Sequence, residues 1–153
     1  MLGKLPEHAV SFRDLFAQVE HRLRRAGYLR NHKRAIVDWR KFAAELGPSF
    51  FEHVQASVEA ETLIREPPRV LDQGMVWQPP EQKPIVNVLE LFERGVCQVR
   101  NNIVHGEKYM DVATPRDDAL VKGANWVLER AIEMHPKGKE IFPALCNVDR
   151  LNV

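Results

Sequence analysis

Cysteine is scarce in this sequence, and no apolar run approaches the length that crosses a membrane. The two cysteines, Cys97 and Cys146, are far apart, and neither has a C-x-x-C or metal-ligand spacing. Reduced, packed thiols are therefore favoured over a disulfide. The first residues contain no signal-peptide core, and so we expect a cytoplasmic protein without a membrane segment.

The sequence also lacks the motifs of several common enzyme classes. It has no phosphate-binding glycine loop and no G-x-S-x-G, and no two histidines are spaced four apart as in helical zinc sites. Four histidines stand alone without metal-ligand spacing: His8, His21, His32 and His53. We therefore expect neither a metal nor a cofactor.

The composition is that of a soluble globular protein. Apolar residues make up 44% of the chain and charged residues 28%. A chain of 153 residues is most simply one domain, residues 1–153, and is long enough to bury an ordinary core.

Apolar residues at helical spacing predict two helices in the first third of the chain. The first covers residues 11–28, with Ser11 as its N-cap and Gly27 as its stop. The second is capped by Asn31 and ends before Gly47. The link between them is short, which predicts antiparallel packing.

A third helix and a long loop follow. Pro48 suits the first turn of a helix that continues to Ile64. Residues 66–84 contain half of the ten prolines and break the helical pattern, and we call them the proline loop. We expect it to be a crossover loop, with Trp77 and Met75 as apolar anchors and a short extended piece.

The last two predicted helices have the clearest patterns. Apolar residues at an almost unbroken three/four spacing predict a helix over residues 85–104, and Gly106 is a suitable stop. Thr114 resembles an N-cap, and apolar spacing carries a fifth helix to His135. The predicted class is all-α, a bundle of four to five helices.

Basic residues are concentrated in one segment although the net charge is only +1. Residues 21–41 carry eight Lys or Arg and one acid, and so their net charge is +7, whereas the rest of the chain is −6. Such a polarised molecule can hold a polyanion on one side. An alternative is a solvated helix pair whose charges meet acids elsewhere, and charge alone favours neither.

One group of neighbouring residues combines side chains that are suited to catalysis. Arg100, Asn101 and His105 place a guanidinium, an amide and an imidazole at the end of the fourth predicted helix. An arginine can neutralise phosphate charge, a histidine can move a proton near neutral pH, and an amide can orient an oxygen. These are the groups that RNA cleavage without a metal requires.

Helix geometry predicts that two of these groups point away from the core. Asn101 and His105 are four residues apart, and both lie roughly 160° from the core residue Ile103. A plainer interpretation is a helix end whose imidazole lies near the negative end of the helix dipole. By itself the pattern favours this plainer interpretation slightly.

Two other arginines precede a histidine by a similar spacing, and such matches are expected by chance. They are Arg25 with His32 and Arg130 with His135. Each of these arginines is followed by alanine, whereas Arg100 is followed by a polar residue. The pair of Arg100 and His105 is therefore the best candidate.

A loop broken by prolines, a long amphipathic helix that ends in Arg-Asn-x-x-x-His-Gly, and a further helix resemble the HEPN superfamily (higher eukaryotes and prokaryotes nucleotide-binding). The family signature is an Arg, four to six residues and a His, often with a polar residue after the Arg. Arg100, Asn101 and His105 match that signature position by position. The specific part of the resemblance is the run of residues 99–106.

The resemblance implies a HEPN-type helical bundle and a metal-independent endoribonuclease that acts as a homodimer. His105 would act as general base or acid, Arg100 would stabilise phosphate charge, and Asn101 would orient one of these groups. The RNA-binding candidates in the basic segment are Arg24, Arg25, Lys33 and Arg34. A toxin–antitoxin, phage-defence or stress role with an antitoxin or defence-system partner is also implied. The alternative is a non-catalytic subunit that binds RNA, nucleotides or protein.

Overall fold

The computed structural model describes residues 5–105 and 114–146. These residues are mostly helical, with one two-stranded sheet, which confirms the all-α class. The elements follow one another as α1 (Glu7–Arg25), α2 (Trp39–Gln55), a 3-10 turn (Val58–Ala60), α3 (Glu61–Arg65), β1 (Val70–Leu71), β2 (Trp77–Gln78), the composite helix α4 (Val88–Glu90, Leu91–Val96 and Cys97–Val104), α5 (Pro115–Met134), α6 (Gly138–Ile141) and α7 (Pro143–Cys146). The middle section of α4 is π-helical.

The core lies between the long helices. α5 packs against α1, α2, α3 and α4, and α1 also packs against the last section of α4. The aromatic centre of the core is Phe42 of α2, whose ring contacts Trp39, Phe92 and Phe142 edge to face. This packing fixes α4 against α1, and it thereby fixes the position of the candidate site.

α1 ends as predicted but starts earlier. Gly27 adopts a φ of 88°, and the N–H of Tyr28 donates to the carbonyl of Leu23 at 2.9 Å, which completes a glycine-terminated helix end. The prediction of Ser11 as the N-cap was wrong, because α1 begins at Glu7 and Ser11 lies exposed within it. Ala9 is fully buried, so the apolar stripe extends one turn further than the prediction.

The connection from α1 to α2 is a hairpin rather than helix. Leu29 pairs with Val37 as an antiparallel bridge, and the Arg30 N–H donates to the Ile36 carbonyl at 2.9 Å. The prediction of Asn31 as the second N-cap was therefore wrong. The N-cap is Asp38, whose side chain accepts from the Lys41 N–H at 3.1 Å. We call residues 28–38 the basic hairpin.

The third predicted helix is divided. The backbone leaves helical geometry at Gly47, with φ 77° and ψ 179°, and returns to it at Pro48, as the proline predicted. The helical segment then ends at Gln55 rather than continuing to Ile64. Ile64 belongs to α3, where its side chain is buried.

The proline loop contains the predicted extended piece as β1 and β2, and hydrogen bonds fasten it to two helices. Asn102 of α4 donates to the Arg69 carbonyl at 3.0 Å. Arg116 of α5 donates to the Pro67 carbonyl at 3.0 Å, and both Pro67 and Pro68 are buried. The loop therefore covers part of the core beside the end of α4.

Of the two predicted apolar anchors of the proline loop, one is exposed and the other is half-buried. Met75 is 62% exposed and has a φ of 61°, so the prediction that it anchors the loop was wrong. It lies at the turn between β1 and β2 and is not part of the buried core. Trp77 lies in β2 and is half-buried.

The ends of α4 and α5 agree closely with the sequence patterns. α4 begins at Val88, with the Asn87 side chain as its cap, and ends at Val104. Gly106, the predicted stop, lies outside the described residues. α5 begins with a capping box of Thr114 and Asp117 and ends directly before His135.

Candidate active site

Arg100 lies on the side of α4 that faces α1. Its Nη2 donates to both carboxylate oxygens of Glu20 at 3.2 Å, and its guanidinium carbon lies 4.8 Å from the centre of the Phe16 ring. The side chain is 28% exposed. Arg100 is thus held by an ion pair and an aromatic face, but it remains open to solvent on one side.

Asn101 contacts Arg100, and His105 lies one turn further along α4. Arg100 Nη1 donates to Asn101 Oδ1 at 3.2 Å. His105 is the C-cap of α4, and it is exposed. The Ile103 side chain is 3% exposed, so the predicted inward and outward sides of this helix end are correct.

This arrangement has a definite chemical capacity. The amide oxygen fixes one edge of the Arg100 guanidinium, and the exposed imidazole of His105 can accept or donate a proton in solvent. The Glu20 carboxylate already offsets the Arg100 charge, so an incoming phosphate must compete with that carboxylate. The sequence pattern did not predict Glu20, which is 80 residues away from Arg100.

The predicted RNA-binding residues lie at the end of α1 and in the basic hairpin. Arg24 is one turn after Glu20 on α1, and Arg25 follows it. Lys33 and Arg34 are exposed in the basic hairpin. The hairpin approaches Cys97, which is about 12 Å along the axis of α4 from His105. The structure therefore brings Arg100 and Asn101 together, and it places two of the basic residues at the end of α1 and two in the basic hairpin.

The other two arginine–histidine pairs have different surroundings. His32 is exposed in the basic hairpin, where its Nδ1 accepts the Arg34 N–H at 3.1 Å. The His135 side chain is fully buried. Its ring stacks on Phe42 with 4.9 Å between ring centres and 8° between planes. Only the pair at Arg100 joins a partly exposed arginine to an exposed histidine on one helix.

A partly buried polar cluster, formed by Tyr28, Glu45, His135 and Lys137, was not predicted from the sequence. The Tyr28 hydroxyl donates to Glu45 Oε2 at 3.1 Å, and Lys137 Nζ lies 3.7 Å from the same oxygen. His135 Nδ1 accepts the Lys137 N–H at 3.0 Å, and Nε2 lies 3.9 Å from Glu45 Oε2. Burial and Glu45 raise the pKa of Tyr28. Local sequence spacing gives no signal for contacts between such distant residues.

We expect His135 to make the protein less stable as the pH falls below about 6.5. Burial lowers the pKa of His135, Glu45 opposes this effect, and Lys137 adds to it. The unfolded chain therefore binds a proton at a higher pH than the folded chain, and folding stability is lost through that interval. Urea unfolding at about pH 7 and about pH 5.5 measures the loss.

The matched variant for this prediction is His135→Asn, whose amide oxygen lies at the position of His Nδ1. Its amide oxygen can still accept the Lys137 N–H, but it does not titrate. We expect a smaller difference between the two pH values in this variant. An unchanged difference would mean that other groups cause the pH dependence.

A second missed contact joins α1 to α5. His8 Nε2 lies 2.9 Å from Asp118 Oδ1, at the first turn of α5. Both residues are partly exposed.

Within residues 5–105 and 114–146, no group of three or more His, Cys, Asp or Glu side chains is arranged to hold a metal ion.

Cys97, next to the site, is a partly buried thiol without a disulfide. Burial raises its pKa to about 12, and the nearby Arg100 partly offsets this effect. Its thiol is therefore a poor nucleophile near neutral pH.

Comparisons of the chain with protein-family models, curated proteins and solved structures find no match. In the described part of the chain, none of the helices is both long and apolar enough to span a bilayer.

Proposed function

We propose that the protein is a metal-independent endoribonuclease of the HEPN type. The observation that supports this proposal is the end of α4, where Arg100 contacts Asn101 and the imidazole of His105 is exposed one turn away. These residues match the family signature in sequence. The all-α class of the structure agrees with the helical bundle that the signature implies.

The proposed reaction is an internal transfer at one phosphodiester of RNA. His105 removes the proton from a ribose 2′-OH, and the 2′-oxygen forms a bond to the adjacent phosphorus. The bond from phosphorus to the 5′-oxygen breaks, and an acid gives that oxygen a proton. The products are a 2′,3′-cyclic phosphate and a 5′-hydroxyl. Arg100 stabilises the negative charge that develops on the phosphate oxygens.

We infer that a second copy of the chain completes the site. One helix end offers one imidazole, whereas the reaction needs a base and an acid. A two-fold axis next to α4 doubles both Arg100 and His105. Light scattering at micromolar concentration should therefore give the mass of a dimer. A monomer would contradict this part of the proposal.

The direct experiment is RNA cleavage in excess EDTA. Purified protein is incubated with total RNA, and the 3′ ends of the products are analysed. Cyclic phosphate ends that form with wild type but not with His105→Ala would support the proposal. Equal cleavage by both proteins, or none by either, would remove the enzyme from consideration.

The Arg100–Glu20 pair favours a second candidate, a non-catalytic binding or regulatory subunit. In that case Arg100 has a structural role, because Glu20 pairs with its charge and Phe16 packs against its face. RNA, a nucleotide or an acidic partner would then bind through the basic segment alone. Arg100, Asn101 and His105 would then have no catalytic role.

Glu20→Gln separates the two candidates. If phosphate competes with Glu20 for Arg100, removing the carboxylate charge should tighten RNA binding about two- to five-fold, the range of a partly exposed ion pair. The glutamine oxygen can still accept from Arg100, which limits structural damage. Fluorescence anisotropy with a labelled, uncleavable 2′-O-methyl oligonucleotide measures the affinity.

The control for this variant is Glu133→Gln, which removes an acid that pairs with Arg130 at 2.9 Å on α5. We expect it to leave RNA affinity unchanged. Lower stability of Glu20→Gln together with unchanged RNA affinity would favour the structural role of Arg100.

We also propose a role in conflict or stress control, with a protein or nucleic-acid antagonist. This rests on the family signature and on the harm that an unrestrained cytosolic ribonuclease does to its host. The growth comparison in the Discussion tests it.

A further inference from the structure

An open groove of about 450 Å³ lies between the basic hairpin, the start of α2 and α4. Two arginines from different elements line it, Arg30 from the hairpin and Arg40 from α2. Both are exposed. Trp39 lines the groove between them, and Glu93 and Cys97 contribute the side formed by α4. None of the four basic residues that the sequence singled out lines this groove.

The groove lies close to the candidate active site. Cys97 lies one turn before Asn101 on α4, about 6 Å along the helix axis. The Phe16 ring contacts a residue of the candidate active site and a residue of the groove. Its centre lies 4.8 Å from the Arg100 guanidinium carbon and 5.2 Å from the centre of the Trp39 ring. These two distances place Arg100 within about 10 Å of the groove wall. An extended ligand can therefore reach both Arg100 and the groove wall.

The groove itself is lined by two arginines and two acids, Asp38 and Glu93. The backbone N–H of Lys41 donates to Asp38 but does not neutralise its charge, and Glu93 is exposed. The positive balance that favours a polyanion therefore comes from the surrounding basic segment, residues 21–41, whose net charge is +7. Arginines that converge from two elements on an open channel are typical of sites that follow a nucleic-acid backbone.

We propose that this groove holds single-stranded RNA beside the phosphate that is cleaved at Arg100, with Arg30 and Arg40 contacting its backbone. The proposal rests on the proposed function for the role of Arg100. A single strand fits better than a duplex, because duplex RNA is recognised by surfaces that span about 16 base pairs. The hairpin, the start of α2 and α4 form a narrower channel.

The test measures binding rather than cleavage. The probe is a labelled single-stranded 2′-O-methyl oligouridine of about twelve nucleotides, which cannot be cleaved at a 2′-OH. The variant Arg30→Gln with Arg40→Gln should bind it roughly tenfold more weakly. Loss of two phosphate contacts should also make the dependence of log K on log salt shallower by about 1.4. Circular dichroism of each variant confirms that it is folded.

The matched control removes two exposed positive charges outside the groove, with Arg65→Gln and Lys122→Gln. It should leave affinity and salt slope unchanged. Glu93→Gln removes the opposing acid and should tighten binding about two- to five-fold. This second variant tests the groove even if the double arginine variant does not fold.

Several outcomes would overturn the proposal. Affinity and salt slope that match those of the control variant would exclude the groove as the RNA contact. Equal binding of a duplex probe, with equal sensitivity to the two arginines, would exclude a single strand as its ligand. Preferential displacement of the probe by polyglutamate would indicate an acidic protein partner instead.

Failure of the groove and failure of the proposed function are distinguishable. Binding that depends on Arg30 and Arg40, in a protein that does not cleave RNA, supports the groove and removes the ribonuclease. Cleavage that requires His105, but has unchanged KM and probe affinity in the double variant, supports the ribonuclease and removes the groove.

Discussion

His105→Ala is expected to lower the rate of RNA cleavage by roughly 10²–10⁴-fold, the usual contribution of a general acid or base. The imidazole is exposed at the end of α4, so the substitution removes the proton-transfer group without opening a cavity in the core. Folding stability should therefore change little. Single-turnover cleavage of a labelled RNA in EDTA measures the rate.

The control for this variant is His53→Ala. His53 is also exposed, but it lies on α2 and stacks against Trp126 with 5.8 Å between ring centres. We expect it to cleave RNA at the wild-type rate. Similar losses in both variants would point to a general effect of removing a histidine, and the assignment of His105 would then be wrong.

Growth gives a second readout of the same substitution. If the protein acts as a toxin, expression of wild type in a bacterium should slow growth, and expression of His105→Ala should not. Identical growth without any partner would exclude the toxin form of the proposal. A nuclease with a restricted substrate would remain consistent with that result, and the cleavage assay tests it directly.

Phe42→Ala should lower the free energy of unfolding by about 3–5 kcal/mol. Phe42 is fully buried, and its ring contacts aromatic rings from four other parts of the chain: Tyr28, Phe92, His135 and Phe142. Removing it leaves a cavity that these neighbours cannot fill without moving. Urea unfolding followed by circular dichroism measures the change.

Phe42→Leu is the matched variant, because it retains most of the buried apolar surface. We expect a smaller loss of stability, and the order of the two variants is the decisive result. Equal, small losses in both would mean that the α2 side of the core repacks freely. In that case Trp39, which stacks on Phe92 of α4, would not fix the groove wall.

Local patterns predicted the helices where spacing and caps agree. The stripe of Phe12, Phe16, Val19 and Leu23 is buried as predicted, and Gly27 ends α1. These features depend on residues within one or two turns of each other, so periodicity reveals them. The inward position of Ile103 and the outward position of His105 were predictable for the same reason.

Predictions failed where backbone pairing or a local break replaced the helix. The apolar residues Ile36 and Val37 fit a helical pattern, but they lie in the basic hairpin before Asp38 caps α2. The bridge between Leu29 and Val37 holds the hairpin together, and apolar spacing does not encode such a pairing. Similarly, apolar spacing joined Val54 to Leu63, whereas the helix ends between them at Gln55.

The sequence by itself determined the all-α class, most helix ends and the outward side of α4 that carries Asn101 and His105. Tertiary structure alone decided the surroundings of the site. It pairs Arg100 with Glu20 and brings the basic hairpin to Cys97. Helix periodicity and capping act within a few residues, whereas these contacts join residues far apart in the chain and depend on how the helices pack.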